Sequence, residues 1–179
     1  MCRCNPCTWF CFFLMPTLSS SQALQAEANA FLEQFKTLLL ATVSKDGQPD
    51  CSYAPFLRDE QGHLYVFVSE LAQHTKNLLT NPRASLMFTA AETDSKNIFA
   101  RQRLTLETQA TFIPRENPDW PAMLDQMEAR FGNTIELLKS LPDFHLIRFE
   151  VLSGNYVQGF AKAYALDGPK LKVIEHRRS

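Results

Sequence analysis

The chain has 179 residues and a mass of 20.4 kDa, 45% hydrophobic and 21% charged, enough for one domain with a real core and too apolar for disorder along its whole length. Lys+Arg number 18 against 19 Asp+Glu, a formal net charge of -1 that gives no electrostatic ground for a nucleic-acid or anionic-membrane partner. The longest apolar run, Trp9 to Met15, is far short of the about 20 residues a membrane-crossing helix needs.

Cys2, Cys4, Cys7 and Cys11 crowd the first eleven residues and only Cys51 lies in the body. A body with one cysteine reads as cytosolic, because disulfide-stapled domains spread their cysteines through the fold. The C-x-C-x2-C-x3-C cluster admits a zinc or iron–sulfur reading, but no second C-x-x-C or His pair follows to complete a site. A secretory signal with Arg3, Trp9 to Met15 and a cleavage zone at Ser19 to Ala23 is a second reading, and a true start at Met15 is a third.

Ser19 to Ser21 supply an N-cap for a helix over Ala23 to Phe35, where Leu24, Ala28, Phe31, Leu32 and Phe35 share one face. Leu38 to Val43 and Cys51 to Leu57 read as a hairpin about the Asp46-Gly47 turn. His63 to Ser69 is a strand, Leu71 to Asn81 a short helix stopped before Pro82, and Ala84 to Ala90 a strand. Phe99 to Ile113 alternates as a long bent strand. Pro118 to Leu138 is a helix with a packing stripe from Trp120 to Leu138. Phe144 to Val151 and Asn155 to Ala163 are the last strands, and Leu166 to Ser179 is a basic tail. There is no regular β-α-β alternation, no G-x-G-x-x-G and no P-loop, so a single antiparallel barrel with peripheral helices is the economical fold. Residues 1–21 are an extension that is disordered or a misassigned start, 22–166 the barrel domain and 167–179 the tail. None of His63, His74, His145 and His176 accompanies a G-x-S-x-G elbow or an H-E-x-x-H helix.

LLLATVSKDGQPDCSYAPF, LYVFVSELAQHTKNLLTNPRASLMF, FARQRLTLETQATFI, LIRFEV and NYVQGFAKAYAL together resemble the pyridoxamine 5′-phosphate oxidase-like, FMN-binding split-barrel superfamily from about Phe35 to Leu166. SYAPF, the His-x-x-Asn-Leu after the third strand, FARQRLT and GFAKAY point within it to the haem-utilisation branch, whose members bind or degrade haem in the cytoplasm. The resemblance implies a mainly β, six-stranded antiparallel split barrel with peripheral helices. It also implies a homodimer with clefts at the subunit interface, where a planar ligand is buried between rigid walls.

The resemblance also assigns residues. FMN-binding relatives hold the phosphate with a Ser-Arg-Lys trio after the third strand; here that stretch is Ala72-Gln73-His74, with Ser69 before it and Lys76 and Asn77 following. Replacing two cations by an amide and a histidine removes charge-assisted bonds worth about 1.5–3 kcal/mol each, which favours haem over FMN. Arg101 and Arg103, expected on one strand face, suit haem propionates or an FMN phosphate. Tyr53 and Pro55 are expected to wall the pocket. Haem-branch relatives ligate iron with a histidine near the C-terminus, and His176 is the candidate at that place. Asp143 matches the aspartate that the neighbouring subunit sets against that histidine, fixing the ring and raising its basicity.

Position alone reads these residues more plainly: His176 as solvated tail, His74 as a cap or surface residue, Asp143 as a turn residue and the arginines as salt-bridge partners. Three functions follow. The first is oxidative haem degradation that releases iron, with haem as substrate and cofactor and electrons from an external donor. The others are an FMN-dependent oxidoreductase and a non-catalytic haem carrier or storage protein.

Overall fold

The computed structural model describes residues 19–177. In chain order these form α1 (Ser20–Glu33), β1 (Thr37–Val43), β2 (Pro49–Arg58), β3 (Leu64–Ser69), α2 (Gln73–Thr80), β4 (Arg83–Thr89), β5 (Arg103–Ile113), α3 (Asp119–Phe131), α4 (Thr134–Lys139), β6 (Phe144–Gly159), β7 (Lys162–Asp167) and β8 (Lys172–Arg177). The cysteine cluster, the signal-like run and Met15 lie outside the described residues.

Every strand pairing is antiparallel, in the order β3-β2-β1-β4-β5-β6-β7-β8. A further pairing of β3 with β6, from Leu64 opposite Phe149 to Ser69 opposite Phe144, closes β1 to β6 into a six-stranded barrel. Closure removes the free edges that an open sheet would leave at β3. The strict alternation of TLLLATV sends Leu38, Leu40 and Thr42 inward and leaves Leu39 and Val43 outside. Phe56, Phe88, Leu104, Leu106, Phe149 and Tyr156 fill the interior, and α1 seals it with Ala28, Phe31 and Leu32. A capping box between Ser19 and Gln22 starts α1.

The Trp120 stripe does pack, as expected. Trp120, Met123, Leu124, Met127 and Ile135 form a second cluster with Leu57, Phe67 and Leu146 on the barrel's flank. The helix expected over Pro118 to Leu138 is broken, however. Gly132 sits at φ 81°, a left-handed conformation that ends α3 and lets the chain turn into α4.

Three other expectations are corrected. The strand foreseen from Phe99 starts only at Arg103, because Ile98–Ala100 closes a 3₁₀ turn. The last two foreseen strands are one continuous 16-residue strand, β6, followed by β7. The basic tail is β8, hydrogen-bonded to β7 from Asp167 opposite Lys172 to Ala163 opposite Arg177. Its turn is strapped down. Leu171 is fully buried, the Lys170 carbonyl accepts from Gln25 and Asn29, and the Pro169 carbonyl accepts from Arg58 at 2.9 Å. Charge composition alone made this segment look solvated; one buried leucine and three side-chain donors anchor it. The barrel unit therefore extends from Ser20 past residue 166.

Candidate functional site

The α2 region gathers His74 and Asn77. Polar residues on the buried face of α2 meet polar residues on β1 and β2. His74 Nδ1 lies 2.9 Å from Ser52 Oγ, Asn77 Nδ2 donates to Thr42 Oγ1 at 2.9 Å, and Gln73 Nε2 donates to Asn77 Oδ1 at 2.8 Å. Burial pushes the His74 imidazole below its ordinary pKa, and the Asp50 carboxylate only partly opposes this. His74 is thus a neutral interior group and no replacement for a phosphate-binding cation. Lys76 lies on the exposed face of the helix. No side chain caps the α2 N-terminus.

Ser69 and Asp143 are brought together where β3 meets β6. Ser69 Oγ donates to Asp143 Oδ2 at 2.5 Å and accepts from the Leu71 amide at 3.0 Å. The Asp143 carbonyl accepts from the Glu70 amide at 2.8 Å. The carboxylate is therefore held in one orientation. Beside it, His145 Nε2 lies 2.6 Å from Glu70 Oε1.

Arg101 and Arg103 are close but do not share a strand face. Arg101 caps the 3₁₀ turn before β5, donating from Nε to the Ala90 carbonyl at 2.6 Å and from Nη1 to Glu92 at 3.2 Å. Arg103 begins β5 and donates to the Arg101 carbonyl at 3.0 Å. The alternation that suggested a shared face starts two residues after Arg101. Arg101 nevertheless borders a cavity of about 340 Å³ together with Gln102 and Gln158.

Gln158 also borders a second cavity, of about 640 Å³, between the start of α1 and the β7–β8 pair. Leu24, Val173 and Ile174 give it apolar walls, and Glu27, Glu175 and His176 its ionisable groups. That volume falls within the range of small-molecule and cofactor pockets. His176 is half-buried on its wall, opposite Tyr164 in the strand register. The two rings stack with centroids 4.7 Å apart and planes 22° apart. His176 Nε2 lies 2.9 Å from the Ala161 carbonyl. A carbonyl only accepts, so Nε2 carries a proton.

Tyr53 and Pro55 sit apart from this cavity. Tyr53 is 67% exposed on the outer face of β2, cross-strand from Leu39, whose other neighbour is Met87. Pro55 borders an apolar cavity of about 320 Å³ under α3 and α4. Ser52, Tyr164 and Gln158 were not singled out from the sequence. The register of the Gly159-to-Lys162 turn, which sets Tyr164 against Tyr156, was the signal that could have found Tyr164. Among the described residues no cluster of three His, Cys, Asp or Glu could hold a metal ion, and no helix is long and apolar enough to cross a membrane.

A closed antiparallel six-stranded barrel with a helix after its third strand and a strand pair added at β6 defines the split-barrel class. The chain belongs to the pyridoxamine 5′-phosphate oxidase family, whose family model matches residues 24–158. It is 40% identical over 153 residues to heme oxygenase HutZ of Vibrio cholerae, covering 86% of each chain. The crystal structure of HutZ, described there as a heme storage protein, matches with a TM-score of 0.66 at 36% identity, over 82% of this chain and 98% of that one. The crystal structure of Campylobacter jejuni ChuZ matches with a TM-score of 0.78 at 28% identity, over 90% and 66%.

Proposed function

We propose that this protein binds haem and degrades it oxidatively to release iron. The observation that carries the reading is His176, an imidazole stacked on Tyr164 and bonded to the Ala161 carbonyl on the wall of the 640 Å³ cavity. A neutral imidazole is an ordinary axial ligand for haem iron. Gln158 also borders the 340 Å³ cavity lined by Arg101, whose guanidinium suits a carboxylate side arm. The 40% identity to a named heme oxygenase over most of both chains supports the same substrate.

The division of labour follows from these groups. Haem is the substrate and carries the redox chemistry, an external donor supplies electrons, and dioxygen supplies the oxygen that opens the ring. His176 would hold the iron and Arg101 would pair with a carboxylate of the bound haem. This explains why the cavity needs no hydrolytic triad.

The reading requires two copies of the chain. In one protomer Asp143 and His176 lie toward opposite ends of the β6 path. His176 pairs through Tyr164 to Tyr156, twelve residues along β6 from Phe144, about 40 Å of strand. On this reading the Asp143 that supports the axial histidine comes from a second protomer. The outer face of β1, β2 and β4, with Leu39, Val43 and Tyr53 exposed, suits that self-association. The cytoplasm, where electron donors are at hand, suits the reaction. Tight FMN binding is disfavoured because His74 is buried, neutral and tied to Ser52.

The test is a titration of the purified protein with ferric haem and, separately, with FMN. An intense Soret band and a dimer by sedimentation are expected. Adding reductant and dioxygen should bleach the band and release iron. A band that persists makes the protein a carrier, and tightly held flavin overturns the haem reading. His176→Ala should weaken ferric haem binding at least tenfold.

A further inference from the structure

We infer that Arg58 is the positioning residue for the 640 Å³ cavity: it fastens the β7–β8 turn to α1 and so sets the angle between the two cavity walls. Its consequence for haem rests on the haem reading; the fastening itself does not. The cavity is a wedge. One wall is the N-terminal half of α1, with Ser20, Leu24 and Glu27, and the other is β8 from Val173 onward. The turn that leads into β8 lies against α1 further along, where Gln25 and Asn29 donate to the Lys170 carbonyl. Arg58 stands where the two walls converge.

Arg58 ends β2, and its side chain is only 9% exposed. Nη2 donates to Asn29 Oδ1 at 2.7 Å and to the Pro169 carbonyl at 2.9 Å, and Nη1 donates to Glu33 Oε1 at 3.3 Å. One guanidinium thus ties barrel, helix and hairpin together. Backbone shape leaves room for this tie. Gly62 has no Cβ where one would stand 2.2 Å from the Pro169 carbonyl oxygen. The turn has little slack, since Gly168 and Leu171 hold φ of 63° and 56° and the Leu171 side chain is fully buried.

A buried guanidinium is a costly way to gain stability. Its carboxylate partner Glu33 is half exposed, and Arg58 Nε is buried with no hydrogen-bond partner. An apolar side chain of similar length could fill the same space. It could not hold Asn29 and the Pro169 carbonyl at set distances from one planar group, and neither could the single ammonium of a lysine. The fork therefore holds the wedge at one width, which spares a flat ligand the ordering cost of closing it.

The experiment uses the full chain in four forms: unmodified, Arg58→Met, Arg58→Lys and Glu33→Gln. Hydrogen exchange of the haem-free protein is read at the β8 amides, with β1 and β4 as reference. Arg58→Met should raise exchange in β8 about tenfold and leave β1 and β4 within about twofold. Arg58→Lys should behave like Arg58→Met, because it keeps the charge and loses the fork. Glu33→Gln should behave like the unmodified chain, because an exposed carboxylate contributes little. Ferric haem should bind Arg58→Met about three- to tenfold more weakly, through faster dissociation at an unchanged association rate. A side chain that serves stability alone would raise exchange evenly over barrel and hairpin and leave both haem rate constants unmoved; that result overturns the inference. So does full β8 protection in Arg58→Met or Arg58→Lys. If the unmodified chain binds no ferric haem, the haem reading fails, and the exchange pattern alone decides for or against Arg58. Should Arg58→Met not fold, Asn29→Ala removes one arm of the tie and must show the same β8-selective exchange at smaller amplitude.

Discussion

The α2 region and the β7–β8 region are both polar, and they are polar in opposite ways. Around α2 the buried polar groups face the barrel: His74 pairs with Ser52 and Asn77 with Thr42, while His74 Nε2 and Thr75 Oγ1 are buried without a hydrogen-bond partner. Around β7–β8 they border open space, with Glu27, Glu175 and His176 at a cavity wall. A polar group buried against a partner stabilises the fold; one fixed beside a cavity is ready for something outside it. The His74 side of α2 is turned into the fold, whereas the β7–β8 groups border open space.

Substitutions can break this contrast, and the largest effect is expected at the base of the open region. Gly62 sits at φ 96°, and a Cβ there would run into the Pro169 carbonyl in the β7–β8 turn. Gly62→Ala should cost about 3 kcal/mol in urea unfolding. Hydrogen exchange should rise first in β7 and β8, so equal loosening of β1 and β2 would contradict the strapped-turn account.

Asn77→Ala should cost about 2 kcal/mol, because it removes a buried amide and the hydrogen bond it gives to buried Thr42 Oγ1. A loss below 0.5 kcal/mol, an order-of-magnitude bound for an exposed site, would mean that the α2 network is not closed. Tyr156→Phe should cost about 1 kcal/mol. It removes the hydroxyl that accepts from Gln102 and donates to Glu27, a group whose pKa burial pushes up to about 12.

The smallest effect is a pH dependence. The folded state holds the His74 pKa below the unfolded value near 6.5. Between those two values the unfolded chain binds more protons, so stability rises with pH and is lost as pH falls below about 6.5. Urea midpoints at pH 7.5 and 5.5 should differ less for His74→Gln than for the unmodified protein. Asp59 does not confuse this window. Burial opposes its ionisation, but the hydrogen bonds from His63 and Tyr65 outweigh burial and lower its pKa, so its contribution fades only below about 3.8.

The barrel was legible because its strands alternate cleanly and its turns carry Asp46-Gly47 and similar signals. The stripe from Trp120 to Leu138 read correctly as packing, and Gly132 inside it was overlooked as a helix end. The site was less legible. His176 stood out only by resemblance, since a histidine among arginines near a terminus looks solvated until Leu171 is seen to be buried. The inward turn of His74 was invisible because it depends on Ser52, which lies on a strand 22 residues earlier. Arg101 and Arg103 misled because alternation was extended past a 3₁₀ turn.

The uninterrupted length of β6 has a genetic consequence. With Asp143 at one end and the cross-strand neighbour of Tyr164 at the other, the proposed two-copy cleft would take its carboxylate from one chain and its imidazole from the other. Co-expressing His176→Ala with Asp143→Ala would then yield mixed assemblies in which one of the two clefts is whole. Two inactive alleles would complement each other, whereas either alone would stay silent.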